Sequence, residues 1–109
     1  RTHYDYVSIT TIDQIVKDLE VKNVNFIKMD IEGYEYKALI GASETLKKFK
    51  PIIYIELIEN SLKRNNNSLK DVYSFLRTLR YKSYCIINLE LEEFYDDREN
   101  DEIFFIYDI

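Results

Sequence analysis

Apolar and polar positions along the chain switch repeatedly between the spacing of a helix and that of a strand. Ile12, Ile15, Val16 and Leu19 recur at helical intervals behind Thr11-Ile12-Asp13-Gln14, which has the form of a capping box, and predict an amphipathic helix over 12–20. Val24 to Asp30 is an apolar-rich run that reads as a buried strand, and Gly33 allows a sharp backbone turn after it. From Tyr34 to Phe49, Tyr36, Leu39, Ile40, Ser43, Leu46 and Phe49 fall on one stripe and predict a single helix. Glu32 and Glu35 stand at its start and Lys47, Lys48 and Lys50 at its end, as the helix dipole favours, and Pro51 stops it. Gly41 in its interior costs about 1 kcal/mol relative to alanine, so a close helix-to-sheet contact is expected there.

Pro51 to Ile58 is nearly continuous in β-branched and aromatic residues, the pattern of a strand buried on both faces, and only Glu56 interrupts it. A polar loop with Asn65, Asn66 and Asn67 leads to Ser68 and Asp71, a second capping signature. Leu69, Val72, Tyr73, Leu76 and Leu79 follow at helical spacing, in a helix expected to end near Arg80. Tyr81 to Leu89 reads as a strand, Glu90 to Glu102 as an acidic connection and Ile103 to Tyr107 as a last strand. No helix joins those two strands, so they are expected to run antiparallel. The polar-aromatic start contains Tyr6-Val7-Ser8-Ile9, which fits either a short strand or the lead-in to the first helix. The whole is an α/β pattern in one domain.

Composition narrows what such a domain can do. With 109 residues, 46% hydrophobic, 15% aromatic and a net charge of −5, the chain is globular, and its acidity argues against nonspecific nucleic-acid binding. One cysteine, Cys85, excludes an intrachain disulfide and a cysteine-rich zinc site; its strand position reads as core packing, and a cytoplasmic location is expected. No apolar run approaches the roughly 20 residues of a membrane span. Arg1 opens the sequence and Met29 is its one methionine, so it is not expected to be a complete translation product.

The run Val24-Asn25-Phe26-Ile27-Lys28-Met29-Asp30-Ile31-Glu32-Gly33-Tyr34-Glu35, followed by Leu39-Ile40-Gly41-Ala42 and by Lys50-Pro51-Ile52-Ile53-Tyr54-Ile55-Glu56, resembles the FkbM family of S-adenosylmethionine-dependent methyltransferases. Thr10-Thr11-Ile12-Asp13 is similar to that family's lead-in, and the likeness covers most of residues 9–58. The resemblance implies the C-terminal half of a Rossmann-like class I methyltransferase sheet, mostly parallel with an antiparallel last strand and helices packed on it. It further implies S-adenosylmethionine as cofactor, a hydroxyl on a small molecule or glycan as acceptor, and O-methylation as the reaction. The cofactor-binding half of that family precedes this region, with a glycine-rich turn that two glycines, Gly33 and Gly41, cannot build. The N-terminal cofactor half is therefore read as absent, and the chain as inactive alone, with cofactor-binding residues unassigned.

Asp30 and Glu32 alternate around Ile31 and share a face as long as the backbone stays extended, with Glu35 able to approach after the turn. Asp30, Glu32 and Glu56 are the candidate catalytic residues, and Asp30 is the first choice for a base or acceptor-orienting group. Glu32 and Glu35 equally suit a helix N-terminus, and Glu56 could instead pair with Lys28. His3, the only histidine, lies in the terminal segment, and the acidic run 90–102 lacks the spacing of an EF-hand. Two rival readings stand beside the enzyme: a noncatalytic domain that meets the missing half or another copy across the exposed sheet edge at Val24 to Asp30, and a divalent-metal site of Asp30, Glu32 and Glu56 for phosphoester chemistry.

Overall fold

A computed structural model describes residues 10–109; the Tyr6–Ile9 segment and His3 lie outside the described residues. The elements run α1 (Ile12–Asp18), β1 (Phe26–Met29), α2 (Glu35–Ile40), α3 (Ser43–Phe49), β2 (Ile52–Leu57), α4 (Glu59–Lys63), α5 (Leu69–Thr78), β3 (Tyr81–Ile87), β4 (Glu90–Phe94) and β5 (Asn100–Tyr107). They form a five-stranded sheet in the order β1-β2-β5-β3-β4. The last strand is antiparallel to its neighbours, as expected. The expectation of a mostly parallel sheet is corrected: only β1 and β2 pair in parallel, while β2–β5, β5–β3 and β3–β4 are antiparallel ladders. The reason is insertion, since β5 returns between β2 and β3 and opposes both.

The fifth strand, β4, occupies the stretch read as an acidic connection. Ile87 pairs with Glu90, and between them Asn88 and Leu89 both hold positive φ, at 51° and 67°. That geometry makes a two-residue hairpin, a position where glycine is usual and where leucine gave no turn signal.

The stripe from Tyr34 to Phe49 folds as two helices rather than one, broken at Gly41 and Ala42. Asp13 fills the break. Its carboxylate accepts the backbone N–H of Glu44 at 3.0 Å and of Thr45 at 2.8 Å, and the Thr45 hydroxyl at 2.6 Å, capping α3 from another helix. The Asp13 N–H donates in turn to the Gly41 carbonyl at 3.0 Å. Burial acts to raise the Asp13 pKa, but the hydrogen bonds from Thr45 and Glu44 and the charge of Lys47 hold it below the ordinary carboxylate range. A Cβ on Gly41 would lie 3.0 Å from the Thr11 methyl, so the close contact is with the start of α1 and not with the sheet. Thr11 caps α1 by accepting the Gln14 N–H at 3.1 Å, while the Gln14 side chain turns to Asp18. The second capping signature is complete: Ser68 and Asp71 exchange both bonds, at 2.9 and 3.2 Å.

One core holds these elements together. Leu39, Leu46, Leu62, Val72, Tyr73 and Leu76 from the helices are fully or nearly fully buried against Met29, Ile53, Ile55, Ile103 and Phe105 of the sheet. Two buried tyrosines anchor its margins, the Tyr73 hydroxyl donating to the Arg98 carbonyl and the Tyr81 hydroxyl to the Pro51 carbonyl, each at 2.7 Å. Strand β2 alternates: Ile53, Ile55 and Leu57 are buried, whereas Ile52 is 39% exposed and Tyr54 and Glu56 are half-buried. Burial on both faces is thus corrected to burial on one, because the buried apolar helical side chains of the described residues join one cluster on the inward face.

Candidate functional site

Strand β1 ends at Met29, and the chain then turns sharply through residues whose backbone geometry is unusual. Glu32 adopts φ 48° and Gly33 φ 100°. A Cβ on Gly33 would lie 2.1 Å from the Ser61 carbonyl oxygen of α4, so glycine is required here both by conformation and by close approach. Glu35, 3% exposed, closes the turn from the other side: its carboxylate accepts the Gly33 N–H at 2.8 Å and the Ile31 N–H at 3.1 Å. The role of Glu35 is to hold the backbone, and both carboxylate oxygens are committed to it.

This clamp leaves Asp30 exposed at the carboxyl end of β1, beside the carboxyl end of β2. A cavity of about 310 Å³ opens there, lined by Lys28, Asp30, Tyr54, Glu56, Asp101 and Glu102 among others. Asp30 and Glu56 are brought together as the sequence suggested. Glu32 is not among the lining residues, because the left-handed turn ends the extended alternation that would have kept it on the face of Asp30. Asp101 and Glu102 come from the start of β5, in the segment read as a connection, and only the insertion of that strand beside β2 delivers them.

Charge inside the cavity is unbalanced. Desolvation, followed by the negative charges of Asp30, Asp101, Glu35 and Glu32, raises the Glu56 pKa above the usual carboxylate range. No ion pair joins Glu56 to Lys28 among the described residues; the Lys28 ammonium lies 6.0 Å from the centre of the Tyr54 ring instead. The Tyr54 hydroxyl donates to Glu102 at 2.8 Å, and that hydrogen bond raises its own pKa, with Glu102 and Glu56 charges adding to the effect. Glu56 meets the cost of its charge by facing the open side of the sheet, where solvent reaches it. Among the described residues no three histidine, cysteine, aspartate or glutamate side chains are grouped to hold a metal ion.

A cluster of hydrogen-bond acceptors at the carboxyl end of a parallel strand pair is where α/β sheets bind ligands. The family model for the methyltransferase FkbM domain matches residues 1–83. The chain belongs to that family. Comparison with curated proteins and with solved structures returned no match. Family membership implies S-adenosylmethionine as methyl donor in general terms, but the described residues do not fit a cradle for it. Of the two glycines, Gly33 is packed against α4 and Gly41 against α1, and neither leaves a backbone free to receive a nucleoside or a sulfonium group. Besides this, no helix of the described residues is long and apolar enough to cross a membrane.

Proposed function

We propose that this FkbM-family chain forms the acceptor side of an S-adenosylmethionine-dependent methyltransferase that O-methylates a hydroxyl on a small molecule or glycan. The observation that carries the reading is the cavity shared by Asp30 and Glu56 at the ends of β1 and β2. A hydroxyl entering there would meet carboxylates able to orient it and to take its proton. Asp30, free of the backbone bonds that occupy Glu35, is the group assigned to that task. Glu56, whose pKa is raised, lies beside it in the same cavity. Glu32 stands outside the cavity lining and contributes charge to its field. The order β1-β2-β5-β3 with an antiparallel β5 supports the finer fold reading, the fourth to seventh strands of a Rossmann-like class I sheet.

On this reading the cofactor half is supplied by another segment, and the 109-residue chain is inactive by itself in a cytoplasmic setting. Isothermal titration of the chain with S-adenosylmethionine is expected to show no micromolar binding. Micromolar affinity would overturn the assignment of the cofactor to another segment. In the enzyme assembled with that segment, Asp30→Asn is expected to lower kcat roughly 100-fold or more, the range general bases contribute. An unchanged kcat would remove Asp30 from the reaction.

A second reading has one observation in its favour. Among the described residues β1 pairs with β2 alone, so its other edge offers unpaired N–H and C=O groups for the missing half or another copy. A strictly monomeric, well-folded chain in sedimentation would count against such an interaction domain.

A further inference from the structure

The ladder between β2 and β5 slips by one residue beside the cavity. Ile55 pairs with Ile103 and Leu57 with Asn100, so Glu56, the single residue between them on β2, stands opposite two residues of β5, Asp101 and Glu102. The extra residue changes which way the carboxylates face. Ile55, Leu57 and Ile103 are buried inward, and in an unbroken alternation from Ile103 only Glu102 would face outward while Asp101 would turn into the core. The bulge brings both to the cavity that Glu56 lines.

Three contacts hold the slip in place. The Asn100 side-chain oxygen accepts the Glu102 N–H at 3.1 Å, and the Glu102 carboxylate accepts the Tyr54 hydroxyl at 2.8 Å. Just before the bulge, Glu99 accepts the Glu59 N–H at 2.8 Å and ties this end of β5 to the start of α4. The charged groups that face or act on Glu56 are Lys28 and Asp30 from β1, Glu32 and Glu35 from the turn after it, and Asp101 and Glu102 from β5. Of the two on β5, Glu102 is taken up by Tyr54, while Asp101 directs its charge at Glu56.

We propose that this bulge is a device of the acceptor site, in which Asn100 positions Asp101 and Asp101 in turn acts on Glu56. The proposal rests on the acceptor-side reading of the cavity. Keeping charge out of the core does not require the bulge, because a strand without Asp101 forms a regular ladder with Leu57 opposite Asn100, Glu56 opposite Glu102 and Ile55 opposite Ile103. What the extra residue adds is a second carboxylate on the side of Glu56. Bulges re-aim side chains beside active sites in this way.

Carboxyl NMR of the 109-residue chain tests the placement, and the kcat of Asp30→Asn tests the acceptor reading apart from it. Desolvation, Asp30 and then Asp101 raise the Glu56 pKa, so Asp101→Asn is expected to move the Glu56 titration downward. Asn100→Ala changes no charge, yet it is expected to move that titration in the same direction, because Asp101 is released from its place. Asn100→Asp, which keeps an oxygen for the Glu102 N–H, is expected to preserve the slipped cross-strand contacts and to prevent the downward move. Deletion of Asp101 is expected to leave the far-UV circular dichroism unchanged and to lower the Glu56 titration as Asp101→Asn does. A Glu56 titration indifferent to Asp101→Asn or to Asn100→Ala, or a downward move that Asn100→Asp shares, would overturn the proposal. A chain that unfolds on the deletion would also overturn it, by making the bulge a requirement of the fold.

Discussion

The two faces of the sheet are made by alternate residues of the same strands, yet they obey different rules. Phe105 and Phe104 are neighbours on β5: Phe105 is fully buried among helical side chains, while Phe104, half-buried, stacks on Tyr54 on the other face. The inward face is set by volume, since each side chain there displaces water and fills space that a helix would otherwise leave empty. The outward face is set by reach, since its rings and charges extend toward whatever approaches them. Hydrophobicity of the residue does not distinguish the faces; the presence of a helical layer does.

The comparison breaks most visibly at Phe105. Phe105→Ala is expected to cost about 3–5 kcal/mol, and Phe104→Ala about 1 kcal/mol when measured by urea denaturation at concentrations low enough to exclude association. Equal losses would mean that the outward face is as tightly packed as the inward one. Gly33→Ala is expected to cost about 3 kcal/mol, because the turn that joins the two faces at the cavity has no room for a methyl group against Ser61 and no favourable backbone angle for it. Asp13→Ala removes the cap on α3 and is expected to cost about 1–2 kcal/mol at neutral pH. The folded-state pKa of Asp13 is lowered, so its contribution is present above the unfolded value and fades as pH falls through the folded one. The penalty of Asp13→Ala should therefore shrink in acid, which denaturation at a series of pH values would show.

The smallest effect belongs to the outward face. Glu56 has a raised pKa in the folded protein, so ionising it disfavours the fold as pH rises through that value. Glu56→Gln should bring a gain in stability at neutral pH that vanishes once the wild-type carboxyl is protonated. Asp30→Asn, by removing the negative charge that acts most strongly on Glu56, should move the Glu56 titration downward in carboxyl NMR spectra. A titration that does not move would separate the two residues of the candidate site.

Much of this was readable from residue order, and the failures have specific causes. The Ser68–Asp71 cap, the strand before Gly33 and the stripe of α5 are local patterns that the fold preserves. The break at Gly41 was concealed because its cause, Asp13, lies in another helix, about thirty residues away in sequence. The hairpin at Asn88 and Leu89 was concealed because leucine occupies a left-handed position. The apolar run of β2 suggested burial on both sides; Ile52 and Tyr54 lie on the face that no helix of the described residues covers. Asp30 and Glu56 could be named from the strand ends, whereas Asp101 and Glu102 reach the cavity only through strand insertion, which no short-range pattern encodes.

That insertion also fixes the order in which the protein can be made. Strand β5 follows the other four strands in sequence, yet it lies between β2 and β3, contributing the fully buried Ile103 and Phe105. Until β5 has left the ribosome, β2 and β3 have no common neighbour and the centre of the core is open. The sheet closes only once β5 is available, by pairings between residues as far apart as Ile53 and Phe105, and such long loops close slowly. A nascent chain therefore keeps its apolar surface uncovered until the eight-residue β5 arrives, and holdase chaperones would find their substrate in that interval.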